Sequence, residues 1–104
     1  MANSLCEYEI YLPHKRADGT LVSEKEIDKI KSKLTETFGG YTHFNQRCEG
    51  AWRVGRVTFY DEITIVRVLD DGTANFDMSA FRKTLEADLM QEEVLIVARS
   101  VETI

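Results

Sequence analysis

Residues 5–12 alternate: Cys6, Tyr8, Ile10 and Leu12 fall on one face, and Leu5, Glu7, Glu9 and Tyr11 on the other. Period two in β-forming residues predicts a strand with one buried face. Pro13 ends it, because proline has no N–H to give to a ladder. Residues 14–22 read as a loop with Asp18-Gly19 as its turn signal. The period then changes. Ile27, Ile30, Leu34 and Phe38 recur at spacings of three, four and four, one stripe of a helix over 24–38. Ser23 and Glu26 stand at the positions of a capping box, Val22 and Ile27 at those of a hydrophobic staple, and Gly39 where a left-handed cap is expected.

The segment 41–69 is rich in β-formers. Val57, Phe59, Ile63 and Ile65 share one parity, whereas Val66 and Val68 share the other. That switch predicts a bulge or a strand buried on both faces near Ile65 and Val66. The whole segment reads as a long hairpin with its tip near Val54 and Gly55. Asp70-Asp71-Gly72 is a turn. Met78, Phe81, Leu85 and Leu89 repeat at three, four and four, predicting a second amphipathic helix over about 77–91, with Asp77 at its N-cap. Residues 94–101 form a last strand.

The order β-α-β-β-α-β in about 100 residues is that of the ferredoxin-like, split βαβ arrangement. The expectation is therefore one α+β domain over 1–104. It has a four-stranded antiparallel sheet of order 4-1-3-2, both helices on one face, and a long hairpin between the second and third strands. The other face is expected to be open, carrying Glu7, Glu9 and Tyr11 beside Glu62 and Thr64. The last strand is apolar on both sides (Val94, Ile96 and Ala98 against Leu95 and Val97), which is a liability at an edge unless it is covered. A homo-oligomer, dimer or trimer, is expected.

Composition narrows the function. The 104 residues carry 13 Lys+Arg against 18 Asp+Glu, a net charge of −5. An acidic chain with glutamates on its open face repels nucleic acid and anionic membrane. No apolar run approaches the roughly 18 residues of a membrane span, and the first residues lack a signal-peptide pattern, so a cytoplasmic location is expected. Cys6 and Cys48 match no metal or redox spacing, and the two histidines do not complete a zinc set, so neither metal nor cofactor is expected.

Candidate chemistry falls in three places. Glu7, Glu9 and Glu62 are able to gather on the open face as a hard-cation site or an acid/base pair, where like charges raise one pKa. The alternative is a solvated face, or one paired with Arg47 and Arg67. His43 with Glu62, Glu9 and Tyr11 is a candidate acid/base set. His14-Lys15-Arg16 is a short basic run suited to a phosphate or carboxylate, or simply a solvated loop. Trp52 with Arg53, Arg47 and Tyr41 near the hairpin has the composition of a ligand or partner anchor, the alternative being an aromatic packed on its own sheet. No phosphate-cradling loop or nucleophile-elbow sequence occurs.

The set Phe38-Gly39-Gly40-Tyr41-Thr42, Gly50-Ala51-Trp52, Gly55 with Tyr60-Asp61-Glu62, and Gln91-Glu92-Glu93-Val94 resembles small uncharacterised bacterial proteins with a ferredoxin-like fold, over about residues 34–101. The general plan is similar to that of the small trimeric PII and CutA proteins, which carry a ligand between subunits near a long hairpin. The resemblance implies no activity or cofactor. Two functions remain open from the sequence. One is a non-enzymatic oligomeric binding or regulatory module for a small anionic metabolite or partner protein. The other is a small cofactor-free enzyme of the dimeric α+β barrel type, acting by acid/base chemistry on a small organic substrate.

Overall fold

The computed structural model describes the backbone at residues 3–44, 48–54 and 57–104, and side chains at 4–44, 51 and 62–104. Seven elements follow in order: β1 (Asn3–Pro13), α1 (Glu24–Phe38), β2 (Thr42–His43), β3 (Cys48–Val54), β4 (Val57–Asp70), α2 (Met78–Asp88) and β5 (Ile96–Thr103). The chain is α+β, with an antiparallel sheet and two helices.

The expectation of a four-stranded ferredoxin-like sheet of order 4-1-3-2 is corrected. The sheet has five strands in the order β2-β4-β1-β5, with β3 off this path and also paired to β4. The strand expected after α1 is in fact two strands. Thr42 and His43 pair with Arg67 and Val66, whereas β3 begins at Cys48 opposite Ile63. Between these two pairings the register against β4 shifts by two. The parity switch marks no bulge in the ladder of β4 with β1, which pairs without interruption from Pro13↔Ile63 to Cys6↔Asp70. Ile63 and Ile65 are half-buried on one face, and Val66 and Val68 are buried on the other. The hairpin itself closes from Val54↔Val57.

Each helix begins as its sequence dictates, and α1 also ends so. Ser23 accepts from the Glu26 N–H, and Glu26 accepts in return from the Ser23 backbone N–H. Gly39 ends α1 at φ 84, the left-handed conformation that costs a residue without Cβ little. Asp77 caps α2 by accepting from the Ala80 N–H. This helix stops at Asp88, short of the expected 91. Leu89 turns out of the helix, Met90 takes φ 50, and the Glu86 carboxylate accepts from the Val94 N–H.

Both helices lie on one face of the sheet. Ile10 and Leu12 of β1 and Val66 and Val68 of β4 meet Ile30 and Leu34 of α1, Leu85 of α2, and Leu89 and Val94 beyond it. Sealing a side chain of this size from water contributes about 1.5–3 kcal/mol each. Tyr8, Phe38, Phe76 and Phe81 form a chain of ring contacts, with centroids 6.4, 5.4 and 5.4 Å apart, across one end of this layer. No helix among the described residues is long and apolar enough to cross a membrane.

Leu34 is fully buried between α1 and the sheet. Leu34→Ala is expected to lower unfolding stability by about 2–5 kcal/mol, read as a fall in the urea midpoint without a change of slope. A loss under 1 kcal/mol would contradict this packing.

Candidate functional site

The register decides which charges face one another. Glu9 stands opposite Arg67 on β4 and Val97 on β5, and Glu7 opposite Leu69 and Arg99. All of these lie on the face without helices, because their neighbours Ile10, Tyr8, Val66 and Val68 lie on the core face. Glu9 receives the Tyr11 hydroxyl at 2.9 Å and lies 3.2 Å from Arg99. Glu7 lies 3.9 Å from Arg67. The carboxylates sit low in the sheet and the guanidiniums stand over them, half-exposed. With the guanidiniums open to water, such pairs contribute about 0–1 kcal/mol. Their effect is to orient charge rather than to hold the fold.

The expected cluster of Glu7, Glu9 and Glu62 is not assembled. Thr64 pairs with Leu12, so it faces the core, where its Oγ1 lies 2.8 Å from His14 Nε2. Glu62 shares the parity of Thr64 and stands on the face opposite Glu7 and Glu9. His43 pairs with Val66 and turns toward α1. It is four residues along β4 from Glu62, about 13 Å at the rise of a strand, so those two form no acid/base pair. Among the described residues no group of three metal-ligating side chains converges.

The basic run is a strap rather than an open anion loop. Arg16 gives its side chain to the Leu21 and Asp88 carbonyls and to the Glu26 carboxylate. The Lys15 carbonyl accepts from the Gln91 side chain, and the His14 N–H donates to the Glu62 carbonyl. The Lys15 side chain is exposed. Arg47 lies outside the described residues. Trp52 and Arg53 stand on β3 opposite Phe59 and Thr58, and their side chains lie outside the described ones, as does that of Cys48.

Among the cavities of the described surface, two are formed by the elements above. The larger, about 490 Å³, separates α1 from α2 between Lys29, Lys33, Phe76, Phe81 and Asp88. Asp77 on its rim is already used in capping α2. The smaller, about 250 Å³, is a notch at the sheet edge where the chain leaves α1 and enters β2, lined by Phe38, Gly39, Gly40, Tyr41 and Thr42 and by residues 67–69 of β4. Arg67 belongs both to this notch and to the charged strip, and its guanidinium lies 5.8 Å from the Phe44 ring centroid. Tyr41 is 43% exposed, with Lys31 Nζ 5.6 Å from its ring centroid. Notch and strip together are the candidate site. Of the residues expected from sequence, Tyr41, Glu9 and Tyr11 belong to it. Arg67, Arg99 and Gly40 were missed as site residues. Their signal is the register, which a single chain's alternation does not supply.

No family model matches the chain, and no curated protein matches it. Among solved structures it is similar to a phage SAM lyase in complex with S-methyl-5'-thioadenosine, with a TM-score of 0.61 at 12% identity over 97% of this chain and 90% of that one. At this identity the likeness concerns the fold.

Burial first, and then the Lys31 charge, holds the His43 imidazole below its ordinary pKa, with Asp28 opposing. A depressed base favours the folded state while neutral. His43 is therefore expected to support stability above the unfolded value of 6.5, and that support is lost as pH falls from there through the lower folded value. Proton NMR of the imidazole is the check, and Lys31→Gln is expected to move the midpoint upward. A midpoint at or above 6.5 would contradict this placement.

Proposed function

We propose that this protein is a small enzyme that binds and cleaves an adenosine-bearing sulfonium compound of the S-adenosylmethionine type, at the charged strip and the adjoining notch. One observation carries this reading: almost the whole chain follows the fold of a SAM lyase that was solved with S-methyl-5'-thioadenosine. Chemistry of the strip supports it. Such a substrate carries a sulfonium, an ammonium and a carboxylate within a few bonds. A strip on which Glu7, Arg67, Glu9 and Arg99 alternate in sign offers a partner to each.

The reaction asks little of the protein. A sulfonium leaves as a neutral thioether, so no general acid is needed at sulfur. What remains is to hold the substrate's tail and to accept the proton that cleavage releases. As a base takes a proton from the carbon next to the one bound to sulfur, that C–H electron pair forms a C=C bond and the C–S pair leaves on the thioether. Glu9, fixed between the Tyr11 hydroxyl and Arg99, is the group placed for that role. This reading replaces a purely regulatory module as the first choice. The module survives as the reading in which the same ligand binds without turnover. We further propose that the chain works as a homo-oligomer, because β5 is an edge strand with Leu95, just before it, 53% exposed. Light scattering giving 11.9 kDa at micromolar concentration would refute assembly.

Incubation with S-adenosylmethionine is expected to release S-methyl-5'-thioadenosine, followed by chromatography. Glu9→Gln is expected to lower the rate by about 100-fold or more with little change in binding. Binding by calorimetry with no release would leave the module reading. Neither binding nor release would sink both.

A further inference from the structure

We infer that the notch at the free edge of β4 is a nucleobase site that reads adenine through the backbone of Leu69. The inference rests on the proposed adenosine-type ligand and assigns the part of the site that holds the base.

The argument starts from strand geometry. The Phe44 N–H donates to the Ile65 carbonyl, so Ile65 turns its backbone groups away from β1 and toward the β2 edge. Alternation turns Arg67 and Leu69 the same way. Arg67 meets its partner, Thr42. The register, continued by two residues, would place Gly40 opposite Leu69. But β2 begins only at Thr42, and among the described residues no backbone hydrogen bond joins Gly40 to Leu69. Leu69, 41% exposed, therefore presents one N–H and one C=O side by side into the notch.

Adenine carries the complementary pair. Its N7 is an acceptor adjacent to the N6 amino donor. The Leu69 N–H donating to N7 and the Leu69 C=O accepting from N6 reproduce the exchange that a neighbouring strand would make. The surroundings suit a flat ring. The half-exposed Tyr41 ring, with the Lys31 ammonium over one face, borders the notch, and Gly40 leaves the approach free, since a Cβ built there meets nothing within 4 Å. Arg67 at the mouth leads from the notch to the charged strip, so a nucleoside bound here directs its 5' end toward Glu7 and Glu9.

The test is amide NMR of the full chain titrated with adenosine, inosine and S-methyl-5'-thioadenosine, alongside Gly40→Leu, which fills the notch from a position with room for a side chain. Adenosine and S-methyl-5'-thioadenosine are expected to shift the Gly40 and Leu69 amides. Inosine, with an acceptor in place of the amino donor, is expected to bind at least tenfold more weakly, and Gly40→Leu to lose at least tenfold in affinity for adenosine while keeping its Tm within a few degrees. Adenosine shifts confined elsewhere, equal binding of inosine, or no shift with any nucleoside would overturn the site. So would shifts of the same amides with protein concentration alone, since they would place a second chain on this edge. Should Gly40→Leu fail to fold, the wild-type shifts and the adenosine-to-inosine ratio still decide. Adenosine in the notch without cleavage of S-adenosylmethionine would sink the enzyme reading alone. Cleavage with the notch silent would sink the base site alone.

Discussion

The pairing of β1 with β4 is the constraint on which the rest of this structure depends. Eight consecutive residue pairs, from Pro13↔Ile63 to Cys6↔Asp70, join without a bulge. Because side chains alternate across a strand, one register decision sorts every residue of both strands at once. Ile10, Leu12, Val66 and Val68 go under the helices, and Glu7, Glu9, Tyr11, Ile65 and Arg67 go to the opposite face. A slip of one residue would carry the carboxylates under the helices and the aliphatics to the opposite face. The cost of an unpaired buried charge far exceeds the gain from any single ion pair, so the core fixes the position of the charged strip.

The edges behave differently from the centre. At one edge β5 has a partner on one side only. At the other, the chain between α1 and β4 makes contact in two short stretches, β2 and β3, with a two-residue change of register between them. The left-handed turn at Gly39 and the late start of β2 at Thr42 leave the end of β4 uncovered there. A sheet edge with a free donor and acceptor is hazardous when long and flat, because it templates another strand. Here it is short, flanked by Arg67 and set in a recess, which suits a small ring better than a strand.

The separate strap made by residues 14–22 ties both helices to β1. Arg16 reaches the end of α2 through the Asp88 carbonyl and the first turn of α1 through Glu26, which also caps that helix. The hydrogen bond from the Ser23 backbone, then the Ser23 hydroxyl and Arg16, hold the Glu26 carboxyl below its usual range. One carboxylate therefore closes a helix and anchors a loop. Arg16 and His14 of the basic run are thus drawn into the architecture, whereas the Lys15 side chain stays exposed.

The local signals in the sequence were sufficient for what is local. The stripe through Ile27, Ile30, Leu34 and Phe38, the Ser23 and Glu26 box and the Gly39 cap fixed α1 to the residue, since each acts within one turn of helix. Alternation along residues 5–12 named the core face of β1, and the second stripe located α2. Which charges meet was beyond it. Glu62 and Thr64 were expected beside Glu9, and the register instead brought Arg67 there, because the pairing of strands some 50 residues apart is settled by how the helices cover their shared core. The splitting of the edge strand and the notch at Gly40 were likewise decided by tertiary structure: they depend on where the chain, on leaving α1, regains the side of β4, a distance no local pattern encodes.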